Sequence, residues 1–155
     1  MDIDEKVKIA GMLYRKYEIT YRTAKNIANG NQNGCQTLQE MEKEAAQCEL
    51  NQSTRDFYNY SKFDQEQMLN FCRSLVPLKT RKTSTYSVKH WAENVFLAVG
   101  TGPSYVSTGA IKEALLKTGF DLDPHEFNAL VNVSERDGRR WKKRLQEQLG
   151  WDQWL

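Results

Sequence analysis

The chain has 155 residues, of which 39% are hydrophobic and 27% charged, and its formal net charge is +2. This length is typical of one domain or of two small lobes that share a core, and it requires neither a metal ion nor a disulfide for folding. No apolar run approaches the roughly 18 residues that a membrane helix needs, and the charged N-terminal sequence lacks a signal-peptide core. We therefore expect a cytoplasmic protein without a membrane segment.

The cysteines do not form a metal or disulfide pattern. Cys35, Cys48 and Cys72 are far apart in sequence, without a Cys-x-x-Cys pair and without a histidine close by. Such spacing predicts three reduced thiols rather than a zinc site. The glycine-rich stretch 100–104 lacks the lysine and the spacing of a phosphate loop. We expect neither a cofactor nor a metal ion.

The first half of the chain predicts helices that begin at clear capping residues. Apolar residues recur every three or four positions from residue 3, and Thr20 begins a second helix that ends near Gly30. A loop follows at 30–35, and Thr37 with Glu40 forms a capping box. Looser boxes stand at 53–56 and 61–64, and the last of these opens a helix that ends before Pro77.

The segment 77–85 is rich in Lys, Arg and Pro and is the best candidate for a boundary. Helices are predicted after it at 86–100, at 106–120, from Asp123 through "EFNALV" (126–131) and from Ser134 to Gly150. Only "ALVNV" (129–133) could pair as a short strand. The sequence thus predicts an all-α fold, a compact bundle of about seven helices. Its two possible lobes, 1–76 and 86–155, would be joined by a basic linker at 77–85.

A polar cluster stands at the start of the helix after the linker. Lys89, His90 and Glu93 share a helix surface, and Trp91 lies with Val88 and Val95 on the core side. A histidine with a carboxylate three residues away could act as a general base. However, no second histidine or catalytic motif accompanies this pair, so we predict a non-enzymatic protein without catalytic residues. The cluster is a candidate contact surface, with packing as the alternative.

The last helix carries a dense group of basic residues. It has six cations within nine positions: Arg136, Arg139, Arg140, Lys142, Lys143 and Arg144. Trp141 and Leu145 lie on another side and would anchor the helix. The linker adds Lys79, Arg81 and Lys82, which would extend the same surface if the linker lies beside the helix. This clustering favours contact with the phosphates of a nucleic acid, although acidic neighbours partly offset it.

Two further features leave alternatives open. Trp151 and Trp154 at the C-terminus either fold back onto the core or anchor a partner or a second copy of the chain. Residues 17–34 resemble the beginning of a helix-turn-helix. The recognition helix would then carry Glu40, Glu42 and Glu44, which DNA would repel.

Two motifs together resemble a module of small proteins from bacteriophages and other bacterial mobile elements. That module has the pattern Ser-Tyr-x-x-Lys-His-x-x-Glu, then Tyr-Val-Ser-Asn-Gly-x-Phe, then a helix that ends in Gly-Phe. The matching residues are Tyr86, Lys89, His90, Glu93, Tyr105, Val106, Ser107, Gly109, Gly119 and Phe120. Thr85, Thr108 and Ile111 replace the Ser, Asn and Phe, and the resemblance covers about 84–136. It implies an accessory protein of a phage, prophage or plasmid in a bacterial cytoplasm, and it implies no activity.

The sequence therefore leads to one hypothesis and two alternatives. The leading hypothesis is a non-enzymatic accessory protein of a mobile element that binds nucleic acid or a nucleoprotein complex through its basic C-terminal face. The first alternative is a protein inhibitor of a host antiviral nuclease complex, for example of the CRISPR type, that acts by direct protein binding. The second alternative is an enzyme that uses His90.

Overall fold

The computed structural model describes residues 1–30 and 37–154. Over these residues the fold is predominantly α-helical, which confirms the predicted all-α class. The elements are α1 (Ile3–Lys16), α2 (Tyr21–Ala28), α3 (Leu38–Gln52), a 3-10 helix (Thr54–Asn59), α4 (Lys62–Arg73), β1 (Thr83–Ser84), α5 (Thr85–Val99), α6 (Thr108–Lys117), β2 (Leu130–Val131) and α7 (Glu135–Leu149). The loop predicted at 30–35 falls largely outside the described residues, as does Cys35.

The predicted capping residues begin most of these helices. The side-chain oxygens of Thr20, Ser61 and Ser107 each accept a hydrogen bond from a backbone N–H in the first turn. The Thr37 hydroxyl accepts from the Glu40 N–H at 3.1 Å, and the Glu40 carboxylate reaches back to the Thr37 N–H at 3.5 Å. These local bonds satisfy N–H groups that the helix leaves free, so the start signals at these four residues were correct.

The chain divides into two compact units, and the first is Met1–Asn51. Its core contains Leu13, Ile19, Ala24, Ile27, Met41 and Ala45. The apolar surface predicted for α1 is buried only in part: Ala10 is buried, whereas Ile3 and Val7 are 78% and 59% exposed.

The second unit is Gln52–Leu155, and its core is formed mainly by side chains of α4, α5, α6 and the β2 segment. In the middle of this core lie Met68, Val88, Ile111 and Leu115, all fully buried. α6 ends in a Schellman motif: Gly119 has a φ of +92°, and the Phe120 N–H donates to the Leu115 carbonyl at 3.0 Å. The predicted glycine cap is thus present.

The segment 77–85 lies inside the second unit, so the division of the chain falls at 51/52 rather than at the predicted linker. Its backbone is hydrogen-bonded: Leu78 N–H donates to Asn132 O at 2.8 Å, and Lys82 N–H donates to Val131 O at 2.9 Å. β1, at its end, pairs antiparallel with β2. The composition of this segment resembles that of a linker, and it does not reveal hydrogen-bond partners that are about 50 residues away in the sequence.

The helix predicted from Asp123 through residue 131 is wrong. This segment forms turns and then β2, as the alternative strand at 129–133 had suggested. Two of its carbonyls, those of Pro124 and Glu126, accept hydrogen bonds from the Lys112 ammonium at 3.4 and 2.6 Å. These long-range bonds and the pairing with β1 replace the helical hydrogen bonds that the Asp-Pro start signal favours.

Candidate nucleic-acid interface

α7 is a fifteen-residue helix with a defined start and stop. The Ser134 hydroxyl accepts from the Arg136 N–H at 3.1 Å. Glu135 and Asp137 lie in the first turn, where negative charge complements the helix dipole. Gly150 ends the helix with a φ of +64°, a conformation that favours glycine.

One side of α7 packs tightly against the core of the second unit. A Cβ atom on Gly138 would lie 2.4 Å from Cε2 of Trp91 in α5, so only glycine allows this approach. Leu145 is buried and Trp141 half-buried, as the helical periodicity predicted. Their packing holds α7 in place and determines which side chains face the solvent.

All six predicted cations of α7 are exposed. Arg140 pairs with Asp137, and Lys143 lies 3.8 Å from the Glu147 carboxylate. Among residues 1–30 and 37–154, no carboxylate forms an ion pair with the other four, Arg136, Arg139, Lys142 and Arg144. The outer surface of α7, which we define by these six cations and call the α7 basic face, therefore carries positive charge that the described fold does not neutralise.

A cleft of about 240 Å³ opens beside this face. It is lined by Ser74, Asp137, Arg140, Trp141 and Arg144, and we call it the α4–α7 cleft. The Trp141 indole N–H donates to the Ser74 hydroxyl at 3.1 Å, and the Arg144 guanidinium lies 4.8 Å from the centre of the Trp141 ring. Such stacking holds an arginine side chain while its N–H groups remain free to donate.

Asp137 has a different role from the one that the sequence suggested. As an acidic residue of α7 it was expected to offset the basic charge, but it is only 2% exposed. Its Oδ2 accepts from the Val76 backbone N–H at 3.1 Å, and its Oδ1 contacts Arg140. Asp137 thus joins α7 to the segment after α4 and fixes Arg140. A Ser134-x-x-Asp137 spacing could have indicated a capping role but not this long-range bond.

The predicted cations of the 77–85 segment are divided in their contacts. Lys79, Arg81 and Lys82 are all exposed. Arg81 donates from Nε and a terminal nitrogen to both oxygens of Asp121, at 3.1 and 3.0 Å. These bonds lower the pKa of Asp121 below its usual value. Arg81 is therefore paired, whereas Lys79 and Lys82 form no ion pair within the described residues.

The polar cluster in α5 is largely internal. Lys89 is only 6% exposed, which corrects its predicted place on the surface. Its ammonium donates to both oxygens of Glu93, at 3.2 and 3.4 Å, and Glu93 also accepts from the Val106 N–H at 2.9 Å. His90 Nδ1 lies 3.1 Å from Glu93, and the imidazole is partly exposed. The cluster fastens α5 to the start of α6, so its main visible role is packing.

Other residues of the phage-like pattern extend this cluster. The Tyr105 ring lies 4.7 Å from the Lys89 ammonium, and the Ser107 hydroxyl donates to Asp56 at 2.6 Å while it caps α6. A Cβ on Gly109 would lie 2.0 Å from the Ser53 carbonyl oxygen, so the 3-10 helix packs directly on α6. In this chain, these residues of the pattern therefore stabilise the packing around α6.

The buried lysine of α6 was not predicted from the sequence. Lys112 is 1% exposed, and its ammonium donates to Gln52 Oε1 at 2.9 Å as well as to the two carbonyls of the 123–128 turn. Burial lowers the pKa of Lys112 to about 8, although nearby Asp123 and Glu126 act in the opposite direction. No local pattern marks such a residue, because its acceptors come from distant parts of the chain.

The two C-terminal tryptophans fold back onto the core, one of the two predicted outcomes. Trp151 and Trp154 are both partly buried against the core of the second unit. The Trp151 backbone N–H donates to the Leu145 carbonyl at 3.1 Å, which continues the turn made by Gly150. Their role as anchors for a partner or a second copy remains a prediction.

The remaining candidates for catalysis or metal binding are the two histidines and the buried Cys72. Within the described residues, no set of three His, Cys, Asp or Glu side chains is placed to hold a metal ion. His125, the other histidine, is exposed in the turn after α6, and Cys72 is buried with a pKa raised by burial. The His90–Glu93 pair stands as the one candidate acid–base pair that the sequence proposed.

Comparison with protein-family models, with curated proteins and with solved structures found no match to this chain. In the described part of the chain, no helix combines the length and the apolar character needed to cross a membrane.

Proposed function

We propose that this chain is a non-enzymatic accessory protein of a phage or another mobile element and that it binds nucleic acid through the α7 basic face. The observation that carries the proposal is the state of the α7 cations: all six are exposed, and four of them form no ion pair in the described fold. The mobile-element context comes from the sequence resemblance alone.

Electrostatics gives this surface an affinity for phosphates. Each phosphate that a Lys or Arg neutralises releases condensed counterions, and this release favours binding irrespective of base sequence. A folded helix presents its cations without the cost of ordering the backbone on binding. Arginine adds a planar fork of donors that suits phosphate oxygens.

The test is the affinity of the chain for a generic DNA duplex and a generic RNA strand, measured by fluorescence anisotropy at low salt. We expect binding, and we expect the triple variant Arg136→Gln/Arg139→Gln/Lys142→Gln to bind at least about ten-fold more weakly. The matched control is Lys8→Gln/Arg22→Gln/Lys43→Gln, which removes the same charge from exposed positions of the first unit. Absence of binding by the unmodified protein would contradict the proposal.

A specific observation favours a second candidate, the inhibitor of a host antiviral nuclease complex. α1 and α2 border an apolar groove of about 200 Å³, where Ile3, Val7 and Tyr21 are exposed. Exposed apolar surface of this kind is typical of protein-binding sites. This candidate predicts that a host nuclease complex copurifies after nuclease treatment and is lost with Ile3→Ser/Val7→Ser. The α7 triple variant should retain it.

A further inference from the structure

We propose that the α4–α7 cleft is a phosphate-binding pocket that seats one backbone phosphate of the bound strand, held between Arg140 and Arg144. The inference rests on the proposed function and names the group that the basic face would recognise most specifically. The surrounding cations attract a strand in general, whereas the cleft fixes one phosphate.

Charge in the cleft is the first argument. Arg140 and Arg144 are one helical turn apart and line the same cavity. Like charges at this spacing destabilise a helix. The single carboxylate of the cleft, Asp137, is buried and also accepts the Val76 N–H. The cleft therefore has two guanidinium groups but one carboxylate, which pairs with Arg140, and an anion between the arginines would remove the imbalance.

The second argument is the fixed position of both guanidinium groups. One terminal nitrogen of Arg140 contacts Asp137, and Arg144 donates from Nε to Gln148 at 3.3 Å while its plane lies near the Trp141 ring. A guanidinium has five N–H donors, so each arginine retains several for a ligand. Because the side chains are already held, less conformational entropy is lost when a ligand binds.

The third argument identifies the ligand as a phosphate rather than a base. The Trp141 ring already contacts the Phe71 ring, with ring centres 5.9 Å apart and planes tilted by 37°, and the Arg144 guanidinium, so the one aromatic ring that lines the cleft has partners within the fold. The Ser74 hydroxyl donates to the Phe71 carbonyl at 2.5 Å and thus has no proton for a ligand. The free donors come from the arginines, which matches a group that only accepts hydrogen bonds.

The size of the cleft agrees with this assignment. Its volume of about 240 Å³ lies below the range of roughly 300–1,000 Å³ that is usual for sites that enclose a drug-sized molecule. The cleft is therefore large enough for a phosphate and smaller than a usual ligand-enclosing site. We expect a contact that is independent of base sequence.

The test compares two double variants of equal charge in the full-length protein. Arg140→Gln/Arg144→Gln removes the cleft arginines, and Arg139→Gln/Lys142→Gln removes two cations of the α7 basic face outside the cleft. We expect the first to weaken oligonucleotide binding about ten-fold more than the second, because it breaks charge-assisted hydrogen bonds. Arg144→Lys, which retains the charge but not the fork, should also weaken binding, and circular dichroism verifies that each variant folds.

A second readout follows the Trp141 indole N–H signal by NMR during titration with inorganic phosphate, with the oligonucleotide, with a peptide nucleic acid of the same bases and with polyglutamate. We expect the first two to shift this signal and the uncharged strand to leave it unchanged. Equal loss of binding in both double variants would overturn the pocket while the proposed function stands. A shift by phosphate without any strand binding would retain the pocket for free phosphate and reject the proposed function. A larger and tighter response to polyglutamate would overturn the assignment in favour of an acidic protein.

Discussion

The second unit contains two groups of basic residues that differ in what surrounds their charges. Lys89 and Lys112 lie inside the fold, and each ammonium is matched by acceptors from other segments: Glu93 for the former, Gln52 and two turn carbonyls for the latter. The α7 cations lie outside, and four of the six form no ion pair in the described fold. Charge alone does not indicate a binding surface. Burial and the number of acceptors decide whether a cation stabilises the fold or remains available to a ligand.

The strongest test of this contrast removes the buried acceptor. Glu93→Ala leaves the Lys89 ammonium buried without its carboxylate and frees the Val106 N–H. Breaking a buried pair by removing one partner costs about 3–5 kcal/mol, so we expect a loss of this size in the free energy of unfolding. Urea denaturation measures it.

The control for that variant is an exposed carboxylate of α7. Glu147→Ala removes a partner that lies 3.8 Å from Lys143, with both side chains well exposed. We expect a change below about 1 kcal/mol. Similar losses in the free energy of unfolding for the two variants would show that the buried and the exposed ion pair contribute equally to stability.

The second prediction concerns pH and Lys112. Its pKa is about 8 in the folded protein, against an ordinary value of 10.5. Between these values the unfolded chain binds more protons than the folded one, so the free energy of unfolding should rise with pH. The slope from this single group is at most about 1.4 kcal/mol per pH unit.

We expect Lys112→Met to remove that rise. Urea denaturation at pH 8 and at about pH 9.5, below the usual range of tyrosine ionisation, measures the slope for both proteins. Comparison of slopes avoids confusion with the overall loss of stability, because the variant also leaves the Glu126 carbonyl and the Gln52 side chain without the ammonium. A slope that is unchanged in the variant would refute the role of Lys112.

The smallest expected effect on stability is that of the α7 triple variant. Arg136, Arg139 and Lys142 are exposed and form no ion pair in the described fold, so their replacement by Gln should change the free energy of unfolding by no more than about 0.5 kcal/mol. Thermal unfolding of the variant beside the unmodified protein gives this value. A large loss of stability would show that these three cations stabilise the fold.

Local chemistry explains how much of the fold was predictable. Helices begin at capping hydroxyls that bond to residues two or three positions away, and the sequence contains these signals directly: Thr20, Thr37, Ser61, Ser107 and Ser134. Helices end at glycines with positive φ, which are equally visible in the sequence: Gly100, Gly119 and Gly150. The helix prediction for 123–131 failed because the hydrogen-bond partners of this segment, Lys112 and β1, are distant in the sequence. The box at Ser53 led to a 3-10 helix rather than an α-helix. Its close packing on Gly109 is also a long-range feature.

The candidate site was predictable in one respect only. Helical periodicity correctly placed the α7 cations outside and Leu145 inside. The spacing of Lys89 and Glu93 allowed an ion pair, but its burial depends on the start of α6. The α4–α7 cleft depends on Ser74 and on the Asp137–Val76 bond, which no spacing within α7 could indicate.

The salt dependence of nucleic-acid binding tests the central claim most directly. The logarithm of the binding constant should fall linearly with the logarithm of the salt concentration, with a slope of about −0.9 for each phosphate neutralised. We predict that Arg136→Gln/Arg139→Gln/Lys142→Gln makes this slope shallower by about 2–3, whereas Lys8→Gln/Arg22→Gln/Lys43→Gln leaves it unchanged. Equal slopes for the unmodified protein and the α7 variant would contradict the claim that these cations contact nucleic acid.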